Sequence, residues 1–213
     1  MGPRLTAILG AALLALAGCG GDDGDDQPTV ELPAGCEEAE VPEARQVQLS
    51  APPQRADGAG TAVVSTSCGS FEIALDYERS PRTASSFAYL VKEGIYDNTL
   101  IHRIEPDFVI QGGDPLGDGT GGPGYFVDEP PPQDLSYTRG TVAMAKSGAE
   151  PPGRSASQFF VVTAADAGLS PDYALLGRVS GGFEVVERIA TLGSPGGEPQ
   201  APVVIETITL EGP

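Results

Sequence analysis

Ile101-His102-Arg103-Ile104-Glu105-Pro106-Asp107-Phe108-Val109-Ile110-Gln111-Gly112-Gly113-Asp114 decides how the rest of this chain is read. The stretch reads as two short strands that carry one Arg, one amide and several large apolar side chains. That set of groups grips an extended peptide and holds nothing suited to breaking one. Further along, Ser155-Ala156-Ser157-Gln158-Phe159-Phe160-Val161-Val162 brings a second Gln and an aromatic pair in another strand-like run.

Outward from this stretch the apolar residues come in short runs punctuated by Gly and Pro, the pattern of many strands joined by irregular loops. Strands are expected over Thr99–Ile104, Phe108–Gln111, Thr141–Ala145, Gln158–Val162, Ala174–Val179 and Val203–Leu210. Upstream, Thr61–Thr66 and Ser70–Leu75 flank Cys68-Gly69 as a hairpin, with Gly69 suited to its tight turn. Ser80-Pro81 supplies an N-cap and a proline at the first helical position. Ala84, Phe87, Leu90 and Val91 then share one helical face, and Gly94 can stop the helix. Phe183, Val186 and Ile189, with Val185 alongside, signal a second helix. The fold expected is mainly β, a closed eight-stranded antiparallel barrel capped by two α-helices, because closure removes exposed strand edges.

A chain of 213 residues is the length of one substantial domain. Residues 37–60 are rich in Glu, Pro, Ala and Gly, so the packed domain is expected over 61–213. Residues 1–18 open with Met1-Gly2-Pro3-Arg4 and continue as the apolar run Ile8–Ala17, too short for the roughly 20 residues that span a bilayer. They read as a signal peptide. Leu16-Ala17-Gly18-Cys19 resembles the lipobox of bacterial lipoproteins, in which the Cys thiol is acylated and becomes the first mature residue. Residues 19–60 would then be a lipidated Cys19, a disordered tether through the Gly/Asp run 20–26, and an N-terminal arm. The Asp cluster lacks the bidentate Glu that a calcium loop requires at its spacing.

The formal charge of −18 becomes one unit more negative once the leader and its Arg4 are removed. Such a surface repels phosphate backbones, so nucleic acid is not an expected partner. In an exported, oxidising compartment Cys36 and Cys68 read as a disulfide. Zinc would need two more ligands, and the single His stands far off at His102; no metal or other cofactor is expected.

Several motifs in order make the chain recognisable. Ser86-Phe87-Ala88-Tyr89-Leu90, Gly94-Ile95-Tyr96-Asp97, His102-Arg103, Phe108, Gln111-Gly112-Gly113-Asp114-Pro115, Gly119-Thr120-Gly121-Gly122-Pro123-Gly124, Gly140-Thr141-Val142-Ala143-Met144-Ala145, Ser157-Gln158-Phe159-Phe160 and Leu176-Gly177-Arg178-Val179 together resemble the cyclophilin family of peptidyl-prolyl isomerases. The resemblance spans residues 61–210 and implies the family's eight-stranded barrel and its activity on X–Pro bonds.

The chemistry asks for these residue types. Rotation about a peptide bond is opposed by about 18–20 kcal/mol because the nitrogen lone pair is delocalised. At X–Pro the isomers are close in energy yet exchange slowly, over tens to hundreds of seconds. A fixed cationic donor aimed at the proline nitrogen stabilises the twisted amide, and Arg103, always protonated and planar, is the catalytic candidate. By resemblance, Phe108, Val109, Phe160, Leu169 and Tyr173 surround the proline ring. Gln111 would hold the substrate backbone, while Ala145, Lys146, Ser147 and Gln158 would line the groove for residues preceding proline. His102 is taken as a neighbour that positions the strand, since no Ser or Cys nucleophile accompanies it.

Other readings fail on context. The glycines from Gly117 to Gly122 have the spacing of a dinucleotide fingerprint, but Pro123-Gly124 follows where a helix is needed. Ser155 and Ser157 lack the strand-to-helix setting of a nucleophile elbow. Departures from the family are also plain. Gly168 stands where many members have Trp, Tyr173 where many have His, Ile101 where Phe is usual, and Lys146 where Asn is common, which puts a cation beside the groove. The expectation is therefore a monomeric prolyl isomerase, lipid-anchored at the outer face of a bacterial membrane. Its partners are proline-containing peptides and unfolded exported proteins; the alternative is a non-catalytic cyclophilin-like module that binds proline-containing partners.

Overall fold

The structure, a computed structural model, describes Gly2, residues 30–52 and residues 60–212. Apart from Gly2, the residues expected to form a signal peptide, together with Cys19 and the Gly/Asp run expected to be a tether, lie outside the described residues. Among the described residues, no helix is long and apolar enough to cross a membrane.

The elements in order are β1 (Thr61–Thr66), β2 (Gly69–Leu75), α1 (Pro81–Lys92), β3 (Thr99–Leu100), β4 (Arg103–Glu105), β5 (Val109–Gly112), β6 (Val127–Asp128), β7 (Thr141–Met144), β8 (Arg154–Ser155), β9 (Phe159–Val162), β10 (Leu175–Gly181), α2 (Phe183–Ala190) and β11 (Val204–Glu211). Nine of the strands form one antiparallel sheet in the order β3-β11-β1-β2-β10-β7-β9-β5-β4, and β6 pairs with β8 apart from it. The sheet is a curled half-barrel and not the closed eight-stranded barrel expected from sequence. Its edge strands β3 and β4 are separated only by Ile101-His102, and a single bridge, Leu100 to Asp114, draws the edges together.

That arrangement explains why the expected strand Thr99–Ile104 splits. Thr99 and Leu100 pair with β11, whereas Arg103–Glu105 pair with β5. Thr99, Ile101 and Ile104 are buried, so an extra residue interrupts the period-two alternation where the chain passes from one edge to the other. The first hairpin is also shifted by a residue. Thr66 pairs with Gly69, which makes Ser67-Cys68 the turn and Gly69, at φ 107°, the first residue of β2.

The helix α1 ends as its sequence implies, with Ile95 N–H donating to Leu90 and Gly94 N–H to Val91 around a left-handed Gly94. Its start differs from expectation. The Ser80 hydroxyl donates back to the Asp76 carbonyl, and the first-turn N–H groups of Arg82 and Thr83 donate to the Glu129 carboxylate at 3.1 and 2.7 Å. A carboxylate from a distant loop thus satisfies the orphan donors and complements the helix dipole.

Side-chain alternation creates two cores. Ile110, Val142, Met144, Phe159 and Val161 point into the main core, which also takes Phe71, Phe87 and Tyr96. Their strand neighbours Val109, Ala143, Phe160 and Val162 point the other way, into a smaller cluster around Tyr137. Both faces of β7 and β9 are covered, so every residue of these strands is buried.

The arm from Val30 to Pro52 lies on this body. Cys36 is disulfide-bonded to Cys68 in the first hairpin turn. Beyond it, Glu37 N–H donates to Ser67, Arg45 N–H to Pro115 and Leu49 N–H to Pro123, while Leu32, Val47 and Leu49 pack against the main core.

Candidate active site

Strand register assembles the site. Arg103 on β4 pairs with Gln111 on β5, Gln111 with Phe160 on β9, and Phe160 with Ala143 on β7. Paired residues point to the same side of a sheet, so these four stand in one row across the face that bears the smaller cluster.

The polar half of the row is a one-way chain of hydrogen bonds. A guanidinium can only donate, so Arg103 Nη1 bonds the Gln111 Oε1 at 3.3 Å. That choice orients the Gln111 amide, whose Nε2 donates to Gln158 Oε1 at 3.0 Å. Gln158 in turn directs Nε2 at the carbonyls of Gly119 and Gly121, both at 3.0 Å. The Gly-rich loop that receives it is wound around the buried Asp114 carboxylate, which accepts from the N–H groups of Leu116 and Gly119 at 2.8 and 2.6 Å. A Cβ at Gly121 would lie 1.9 Å from Asp114 Oδ1, so only glycine lets the loop close.

Arg103 is held from a second side. Its Nη2 bonds Glu105, two residues along the same strand and on the same face. Its Cζ also lies 5.6 Å from the centre of the Phe108 ring. Glu105 was not singled out in the sequence reading; its signal was the spacing of two in a strand, which puts opposite charges side by side.

The apolar half contains Phe108, Val109, Phe160, Leu169 and Tyr173 together. Phe160 and Tyr173 meet edge to face at 5.4 Å, and Tyr137 lies 6.0 Å from Tyr173. Tyr137, another residue absent from the sequence reading, is fully buried in the loop before β7. Its hydroxyl donates to the Tyr173 carbonyl at 2.6 Å and accepts from the Tyr173 N–H at 2.9 Å. Burial pushes its phenol up to about 12, partly offset by these backbone bonds, so it stays a neutral donor and acceptor.

Beside this hollow runs a groove of about 620 Å³ lined by Gln111, Ala145, Lys146, Ser147 and Gln158. Lys146 stands beside the groove as expected from sequence, and its charge is engaged there. Its side chain is only 5% exposed, with Nζ 5.4 Å from the Tyr173 ring centre, 3.5 Å from Asp172 and 3.1 Å from the Glu150 carbonyl. At Gly168 a Cβ would meet nothing within 4 Å, so the position is open to solvent. His102 is in the second rank: its Nε2 lies 3.5 Å from Gln111 Nε2, and burial lowers its tendency to protonate. Among the described residues no group of three or more His, Cys, Asp or Glu side chains could hold a metal ion.

Residues 61–210 match the family model described as cyclophilin type peptidyl-prolyl cis-trans isomerase/CLD. The chain is similar to a peptidyl-prolyl cis-trans isomerase of Arabidopsis thaliana, 38% identical over 131 residues that cover 60% of this chain and 78% of the relative. It is also similar to the probable peptidyl-prolyl cis-trans isomerase B of Mycobacterium leprae, 35% identical over 211 residues that cover 87% of this chain and 70% of the relative. Among solved structures, the Cryptosporidium parvum cyclophilin type peptidyl-prolyl cis-trans isomerase crystallised in the presence of the dipeptide Ala-Pro matches with a TM-score of 0.66 and 28% identity, covering 72% of this chain and 99% of that one.

Proposed function

This chain belongs to the cyclophilin type peptidyl-prolyl cis-trans isomerase family, and from that premise we propose that it turns X–Pro bonds of exported proteins at the outer face of a bacterial membrane. The observation that carries the catalytic part is the position of Arg103, fixed by Gln111 and Glu105 at the seam between an apolar hollow and a polar groove.

A proline ring seated against Phe108, Val109, Phe160, Leu169 and Tyr173 puts its nitrogen at that seam. As the amide twists, the lone pair localises on nitrogen, and the Arg103 guanidinium donates to it without any bond to the substrate being made or broken. Raising a rate of about 0.01 per second to roughly 10–1,000 per second takes about 4–7 kcal/mol. A charge-assisted hydrogen bond supplies about 1.5–3 of this. Orientation of the substrate backbone by Gln111 and removal of water by the aromatic wall account for the remainder.

The test is exchange spectroscopy on an X–Pro peptide. Arg103→Ala should lower kcat/KM by about 10- to 100-fold, the equivalent of that one bond. Acceleration by the variant equal to wild type would remove Arg103 from the mechanism. The open space at Gly168 favours the second reading, a module that binds proline-containing partners without turning them, because it leaves the ring less enclosed; wild type that binds the peptide without accelerating exchange is its signature.

Export and anchoring rest on the leader and the Leu16-Ala17-Gly18-Cys19 motif. The Cys36–Cys68 disulfide supports an oxidising compartment. Membrane attachment should be lost on Cys19→Ala, read by detergent partitioning of cell extracts; equal partitioning of the two forms would refute the lipid anchor.

A further inference from the structure

The groove beside Gln111 has a wall built from outside the family match. Residues 61–210 carry that match, yet Arg45, Gln46 and Val47 line the same groove as Gln111, Ala145 and Gln158. These three residues belong to the arm, and the arm is fastened at several points. The Cys36–Cys68 disulfide holds its beginning. Arg45 N–H donates to Pro115 at 2.8 Å and Leu49 N–H to Pro123 at 2.7 Å, so the backbone on either side of Gln46-Val47 is tied to the Gly-rich loop. The Arg45 guanidinium turns away from the groove to the carbonyls of Ile95 and Asp97 at 2.9 and 2.6 Å. Gln48 lies so close to Gly124 that a Cβ there would be 2.3 Å from its amide nitrogen.

An extended segment with this many ties is preorganised, so a ligand touching it does not bear the entropy of ordering it. Gln46 is exposed and Val47 half-buried, with the valine packed on the main core. The rest of the lining combines small residues, Gly119, Gly122 and Ala156, with the apolar Leu116, Tyr125 and Phe126. Its charges are already engaged: Lys146 with Asp172, the Glu150 carboxylate with the Ser147 N–H at 2.6 Å.

We propose that Gln46 and Val47 form the outer wall of the substrate groove and make the enzyme select, in the segment preceding the X–Pro pair, peptides with a large uncharged side chain. The proposal rests on the isomerase reading, because the occupant is the substrate's own chain continued from the proline hollow past Gln111 and Gln158. Engaged charges and a largely uncharged lining favour an uncharged side chain over Lys, Arg, Asp or Glu.

The test compares two blocked peptides, one beginning at the X–Pro pair and one extended by three residues that include a Phe, in the full processed chain. The measured quantity is the ratio of kcat/KM for the long peptide to that for the short one. Gln46→Trp places bulk in the groove from an exposed position and should lower this ratio by about fivefold or more. Arg45→Ala, which removes the side-chain ties of the arm to Ile95 and Asp97, should lower it in the same direction. Ratios within about twofold of wild type for both variants would overturn the proposal. In parallel, the backbone amide resonances of Gln46 and Val47 should shift with the long peptide and not with the short. If wild type accelerates neither peptide, the isomerase reading fails by itself, and the amide shifts alone decide whether the arm is a wall of the groove.

Discussion

Arg103 and Glu105 project from the same face of one short strand, and the carboxylate bonds the guanidinium nitrogen that Gln111 leaves free. Both side chains are a little over one third exposed, at 38% and 39%, so the pair adds little to stability. Its effect lies in orientation, because an untethered Arg samples many rotamers and ordering it on each turnover costs about 0.5–1.5 kcal/mol. Glu105→Ala should therefore reduce kcat/KM about three- to tenfold while the melting temperature stays nearly constant. Glu105→Gln keeps a hydrogen-bond acceptor and should remain within about twofold of wild type. Steady-state kinetics on both variants separates the causes, since equal losses in the two would assign the effect to charge instead of geometry.

Gln158 is oriented by a chain that begins at Arg103 and can run only one way. Its Oε1 receives the Gln111 amide and its Nε2 gives to Gly119 and Gly121. In Gln158→Glu two loop carbonyls would face a carboxylate with no proton to offer. Unmade bonds of this kind cost about 1–3 kcal/mol, which is roughly 2–10 °C in melting temperature for a domain of this size. Thermal melts should show that loss near neutral pH and a partial recovery in acid, where the introduced carboxyl regains a proton. A variant as stable as wild type at neutral pH would mean that Asp114 and the arm hold the Gly-rich loop without Gln158.

Tyr137 supports the proline hollow from behind, through the two bonds of its hydroxyl to the Tyr173 backbone. Tyr137→Phe keeps the ring and removes both. The Tyr173 N–H and carbonyl then lack partners in a part-buried site, so a loss of about 1–3 kcal/mol is expected by denaturant unfolding. Substrate binding should weaken with it, because Tyr173 is an edge-to-face partner of Phe160. A rise in KM without a fall in stability would place the tyrosine in direct contact with substrate.

Local pattern carried the reading of this site a long way. Arg103 and Gln111 are close in sequence and face each other across one tight antiparallel pair, so their meeting follows from recognising two strands. Alternation along β5 and β9 places Val109 and Phe160 opposite to Ile110 and Phe159, which is enough to separate hollow from core. Contacts set by long-range docking were not legible. The Glu129 cap on α1 joins a loop to the first turn of a helix far away in sequence, Tyr137 sits in a segment with no periodicity, and the arm's approach to the groove depends on scattered backbone bonds. The barrel is expected to close because exposed edges are costly, but closure needs β3 and β4 to pair, and the chain passes through Ile101-His102 from one edge to the other without the reversal that antiparallel pairing requires. The pairing of Lys146 is hidden for a similar reason: its partner Asp172 lies in a distant loop, where no sequence spacing reveals it.

His102 lies against Gln111 with Nε2 to Nε2 at 3.5 Å. Because the Gln111 nitrogen is fixed as a donor by Arg103, the imidazole nitrogen facing it must carry no proton, and the neutral ring fits this place better than the cation. Burial is the main force lowering its protonation below the ordinary value of 6.5; the Asp114 carboxylate opposes it and the Arg103 charge reinforces it. A histidine whose folded-state value lies below its unfolded one binds its proton more readily when the chain is unfolded. Its contribution to stability is therefore complete above about pH 6.5, declines as pH falls below that, and stops changing once the folded state also protonates. His102→Gln removes this dependence while leaving a polar side chain beside Gln111. The melting temperature of wild type should fall more than that of the variant between pH 7.5 and pH 5, and wild-type kcat/KM should fall over the same interval as the cation turns two donors toward each other. Parallel stability curves for the two proteins would show that His102 protonates as easily inside the fold as outside it, and that the Gln111 amide is not what keeps it neutral.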